Sequence, residues 1–88
     1  MSLQDTILEA KTVARQNARR NIDAKYPDYA QRNAALGLLS AADTDAMCAL
    51  ILACRDKCNA TEIAVDQIAE DASLTDEEKV ESIRAQFL

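Results

Sequence analysis

The chain has no histidine, no tryptophan, one glycine, one proline and one phenylalanine in 88 residues, with two tyrosines completing an aromatic content of 3%. Each scarcity excludes something. Without histidine, acid–base work near neutral pH falls to shifted carboxylates, lysines or thiols, and the usual zinc ligand sets lose their commonest member. With one glycine there is no glycine-rich phosphate loop, and there is neither a Ser-His-Asp triad nor a CxxC pair. An enzyme built here would depend on a carboxylate pair among Asp43, Asp45, Glu62 and Asp66, which nothing in the sequence singles out. No stretch approaches the roughly 18 consecutive apolar residues of a membrane span. The segment from Met1 to Thr6 has no basic stretch followed by an apolar run, so the expectation is a chain made and kept in the cytoplasm unless exported within a larger assembly.

What is present is alanine, leucine, isoleucine and charge: 49% of residues are hydrophobic, 28% are charged, and the net charge is −5. The length sets one domain over residues 1–88 with a thin core. Sustained alternation of β-branched or aromatic residues is missing, and the single glycine and proline stand where helices should begin or end, so the fold is expected to be all-α. A first helix is read from Leu3 to Lys25, acidic at its start and basic at its end as the helix dipole favours. Pro27 then opens a short second helix at its first position, and Gly37 closes it in a left-handed conformation. Ser40 and Asp43 cap a third helix with no breaker before about Ala72, and Thr75-Asp76-Glu77-Glu78 is a capping box for a terminal helix carrying Val80, Ile83 and Phe87 on one face. The architecture expected is an elongated hairpin or bundle of about four helices with one long helix over about 41–72.

That long helix carries Met47, Ile51, Cys54, Cys58, Thr61, Val65, Ile68 and Ala72, spaced alternately four and three residues apart as in a coiled-coil seam. About 32 helical residues span roughly 48 Å, whereas a compact globule of this length has a radius of gyration near 12 Å. The helix therefore either bends near Asn59-Ala60-Thr61 or belongs to an elongated molecule whose seam other copies help to cover. The residues expected to carry an interface are Met47, Ile51, Cys54, Cys58, Val65 and Ile68, with Tyr26 and Tyr29 anchoring the bend. The three cysteines, Cys48, Cys54 and Cys58, lie within one helical segment where disulfide geometry is poor, and read as reduced apolar side chains. No cofactor or metal is implied.

Charge is divided along the chain. Residues 1–35 hold six basic and four acidic side chains, residues 36–88 four basic and eleven acidic. Lys11, Arg15 and Arg19 form an i, i+4, i+8 stripe, and Glu62, Asp66 and Glu70 form one of opposite sign. The two are expected to face each other, within a chain or between protomers, steering assembly more than holding it. Arg15, Arg19, Arg20 and Lys11 could serve as a phosphate-binding edge, but the net charge and scarcity of aromatics oppose a nucleic-acid role. The first helix's apolar stripe, Leu3, Ile7, Ala10 and Ala14, is too weak for a membrane-surface anchor.

The segment Tyr26-Pro27-Asp28-Tyr29-Ala30-Gln31-Arg32-Asn33 resembles the YPxxxQxN element of helical modules in tail-fibre and other virion-associated proteins of tailed bacteriophages. The helix that follows is similar too, with Met47, Ile51, Arg55, Asn59, Glu62 and Ile63 at the matching places. The chain departs from that pattern in its alanine content and in having Ala30 where a basic residue is commoner. The resemblance implies a scaffolding or assembly role and no catalysis; with the seam of the long helix, the expectation is a component of a bacteriophage tail, fibre or neck that self-associates or docks on a larger particle. The alternative is a cytosolic helical adaptor, chaperone or regulator that takes a partner's helix into a groove.

Overall fold

The computed structural model describes residues 2–88 and contains four helices: α1 (Leu3–Lys25), α2 (Asp28–Ala35), α3 (Ala41–Ala69) and α4 (Asp76–Phe87). Each start has a local cause. Ser2, Ser40 and Thr75 accept hydrogen bonds from the backbone N–H groups of Asp5, Asp43 and Glu78, and the Glu78 carboxylate accepts in return from the Thr75 N–H at 3.0 Å. Pro27 is the cap of α2 and not its first helical residue. Its ψ of 165° is extended, and helical geometry begins only at Asp28. At the far end of α2, Gly37 has φ of 74°, and the Gly37 and Leu38 N–H groups donate to the carbonyls of Ala34 and Asn33, a Schellman closure.

α3 is one unbroken helix through Asn59-Ala60-Thr61, so of the two alternatives, a bend there or an elongated molecule, the structure takes the second. The helix stops at Ala69, three residues short of the expected end. The reason is Asp71, whose Oδ1 accepts from both the backbone N–H and the hydroxyl of Ser73 at 2.9 and 2.6 Å. This Asx turn offers the backbone an alternative to another helical turn. Ala72 consequently lies outside the helix, exposed, and is no part of the seam.

α1 and α3 lie antiparallel, as two ion pairs record: Lys11 meets Asp66 and Arg15 meets Glu62, both at 2.7 Å, four residues forward on one helix and four back on the other. The tight turn after α3 brings α4 back alongside both, parallel to α1, with Leu3 near Val80 and Ala10 near Phe87. The core sits inside this three-helix end. Val65 and Ile83 are fully buried and Ala10 nearly so, with Leu3, Ile7, Ile68 and Phe87 packed around them. Full burial of an aliphatic side chain is worth about 1.5–3 kcal/mol, and few residues here reach it. Thr6, also fully buried, is satisfied by donating to the Ser2 carbonyl at 3.0 Å.

α4 covers only one end of the hairpin. Its 12 residues reach about 18 Å, against about 44 Å for the 29 of α3. The molecule is accordingly a rod, 53 × 19 × 17 Å, with a radius of gyration of 16.9 Å.

Candidate functional site

The seam of α3 is turned inward. From Met47 to Ile68 every seam position is buried or half-buried, and its partner is α1 of the same chain. This corrects the expectation for two residues. Val65 belongs to the internal core, and Met47 is 6% exposed, so neither has surface to offer a second chain. Ile51, Cys54, Cys58 and Ile68 are half-buried.

Beyond the end of α4 no third helix among the described residues covers the α1–α3 hairpin, and a cleft of about 310 Å³ opens there. Its floor is made of small side chains, among them Ala14 and Ala18 from α1 and Cys54 and Cys58 from α3, and Phe87 closes one end. Its rims are cationic and polar: Arg20 and Asn21 on α1, Lys57 and Thr61 on α3. Thr61 Oγ1 donates back to the Lys57 carbonyl at 3.1 Å, so this polar member of the seam is satisfied within its own helix. All three cysteines are free, Cys48 on the exposed face of α3, Cys54 and Cys58 in the cleft.

The charged stripes meet on the other side of the hairpin. Lys11 and Arg15 reach Asp66 and Glu62 as described, but Arg19 turns to Asp23 at 3.1 Å and Asp28 at 3.0 Å, pinning the start of α2 to the end of α1. Glu70, the C-cap of α3, is in no ion pair among the described residues, because the same register sets it opposite Ile7, which carries no charge. Arg84 adds a longer contact to Glu9 at 3.5 Å between α4 and α1. These pairs are partly or largely exposed, so each contributes about 0–1 kcal/mol.

The Tyr26–Asn33 bend is held by Gln31 as well as by Arg19. Gln31 Nε2 donates to the Tyr26 carbonyl at 2.6 Å and to Asp23 Oδ1 at 3.2 Å, occupying a carbonyl freed where α1 ends. Tyr26 is half-buried, whereas Tyr29 is 68% exposed and lies near two further bare apolar side chains in sequence, Leu36 and Leu38. Comparison with protein-family models, curated proteins and solved structures finds no match. What the chain presents must be judged from its own surface. Among the described residues there is no cluster of three metal-ligating side chains and no helix long and apolar enough to cross a membrane. The Arg20 and Lys57 rims and the Asx turn at Asp71 carry no signal in the hydrophobic pattern. Only the antiparallel register shows that Arg20 and Lys57 flank one cleft.

Proposed function

We propose that this chain is a non-enzymatic structural or assembly component of a bacteriophage virion, in tail, fibre or neck, working through helix–helix self-association or docking. One observation carries the docking role. The accessible surface is 5998 Å² for a chain of 9.6 kDa, where a compact protein of that mass exposes about 5100 Å². The excess of roughly 900 Å² resembles the ~800 Å² that each partner contributes to a standard interface. It is distributed along a rod whose distal half is two helices thick. The virion setting is supported by the YPxxxQxN resemblance and by the structural work that element does, with Gln31 fixing the angle between α1 and α2.

The open cleft favours a second reading as well, a helical adaptor that takes a partner's helix. Quantitative mass spectrometry of particles purified from the source that encodes the chain separates the two. A fixed, stoichiometric copy number in the particle supports the structural role. An abundant chain in the producing cell that is missing from the particle overturns it.

A further inference from the structure

We infer that the distal α1–α3 cleft is a receptor for one amphipathic helix of another protein, with acidic side chains flanking a narrow apolar face. The inference deepens the docking role proposed above and rests on it.

Three observations define the occupant. First, the cleft continues the seat of α4: Ala10 and Phe87 belong both to the core under α4 and to the cleft wall, so the surface that binds one helix runs on beyond that helix's end. Second, the floor is made of small residues. Ala14, Ala18, Cys54 and Cys58 allow a third helix to approach closely, along a cleft whose α3 wall runs from Cys54 to Thr61, about 12 Å, and whose α1 wall runs from Ala10 to Asn21, about 18 Å. Third, the rims carry opposed cations. Arg20 on α1 and Lys57 on α3 flank the cleft, and neither is in an ion pair among the described residues, although the chain has net charge −5 and acids are plentiful. Lys25, Arg32, Arg55 and Lys79 are likewise in no ion pair among the described residues, so what sets Arg20 and Lys57 apart is that they are the charged residues lining the cleft and stand opposite each other across it.

The rims also oppose a two-fold pairing of clefts between copies. A two-fold pairing of clefts would bring Arg20 and Lys57 of one chain against those of the other, and like charges across an interface oppose association. A helix with glutamate or aspartate on both flanks supplies the missing partners. Nucleic acid would supply anions too, but two cations over a floor of alanine and cysteine make a poor phosphate track.

The native cysteines report occupancy. Cys54 and Cys58 lie in the cleft, and Cys48, exposed outside it, is an internal reference. The probe is a side-chain-stapled 14-residue helix with leucine and alanine on one face and glutamate on both flanks. Its control has lysine for every glutamate, and stapling is needed because short free helices are marginal in water. Alkylation by iodoacetamide is followed residue by residue by mass spectrometry on the intact chain. The glutamate probe should slow Cys54 and Cys58 roughly tenfold when about nine-tenths of the clefts are filled, leaving Cys48 unchanged. The lysine control should bind about fivefold or more less tightly at low salt, a gap that narrows as salt rises. In the variant R20E/K57E, with circular dichroism showing an intact helix content, that preference should reverse.

Equal protection by both probes, or protection by neither, overturns the inference, as does stronger protection by a duplex DNA or RNA oligomer. If Cys54 and Cys58 are already shielded in a discrete oligomer seen by sedimentation, a second copy fills the cleft. The acidic-helix inference then fails while the docking role stands. That role is tested separately by the copy number in the particle.

Discussion

At the residue scale, function depends on a few side chains that do more than fill space. Ala10 is nearly fully buried because its methyl group is what α1 presents where α3 and α4 converge, and a larger residue would separate the helices around Val65 and Ile83. Gln31 fixes the α1–α2 bend through one amide that donates twice, to a backbone carbonyl and to a carboxylate. A neutral hydrogen bond of this kind contributes about 0.5–1.5 kcal/mol, and one to a charged group about 1.5–3 kcal/mol. Gln31→Leu keeps the bulk and loses both donors, and should cost about 1–2 kcal/mol in urea unfolding. Gln31→Glu should cost more at pH 7 than at pH 4, because its carboxylate would face the Tyr26 carbonyl and the Asp23 carboxylate. Near-native stability for both variants would mean that Pro27, the backbone and the Arg19–Asp28 pair set the bend without Gln31.

At the element scale, the turn from α3 to α4 is held by two exposed carboxylates. The Ser73 hydroxyl and then its backbone N–H, both donating to Asp71, hold that carboxyl below its ordinary range, and the Thr75 N–H does the same for Glu78. Folding therefore lowers both pKa values, so the stabilisation is complete above the ordinary carboxylate range and is lost as the pH falls through and below it. The variant D71N/E78Q keeps acceptors for the turn and the cap but cannot titrate. Its thermal midpoint should fall less between pH 7 and pH 3 than that of the natural chain, and an unchanged acid slope would assign the acid sensitivity elsewhere. The sequence made most of this element legible. Ser40, Thr75 and Glu78 announce helix starts, Gly37 announces a stop, and the alternating spacing from Met47 to Ile68 marks an inward face. The end of α3 was not legible, because alanine at 72 continues a helical pattern while Asp71 and Ser73 compete locally for the backbone. Nor could spacing say what the seam packs on. The α1 face that meets it is largely alanine, which carries little hydrophobic signal yet permits close approach, so a partner within the chain looked weaker than it is.

At the scale of the whole molecule, the two ends of the rod are unequal. The proximal end has three helices around an apolar core, and the distal end has a two-helix hairpin, the cleft and α2, which packs against its neighbours only sparsely. Opening free energies follow buried apolar contact and backbone exposure, so the gradient should appear in amide hydrogen exchange on the isolated chain. Amides of residues 7–14 in α1, 61–68 in α3 and 79–86 in α4 should exchange slowest, at the rate of global unfolding. Those of α2 and of residues 41–50 should exchange faster through local opening. If residues 41–50 were as protected as 61–68 in dilute monomer, the rod would open as a single unit and the distal hairpin would need no cover. If their protection rises with protein concentration, a second copy is covering them. If it rises only on adding a helical ligand, that ligand stabilises the distal end by mass action, and the uneven division of the core between the two ends is what couples docking to order.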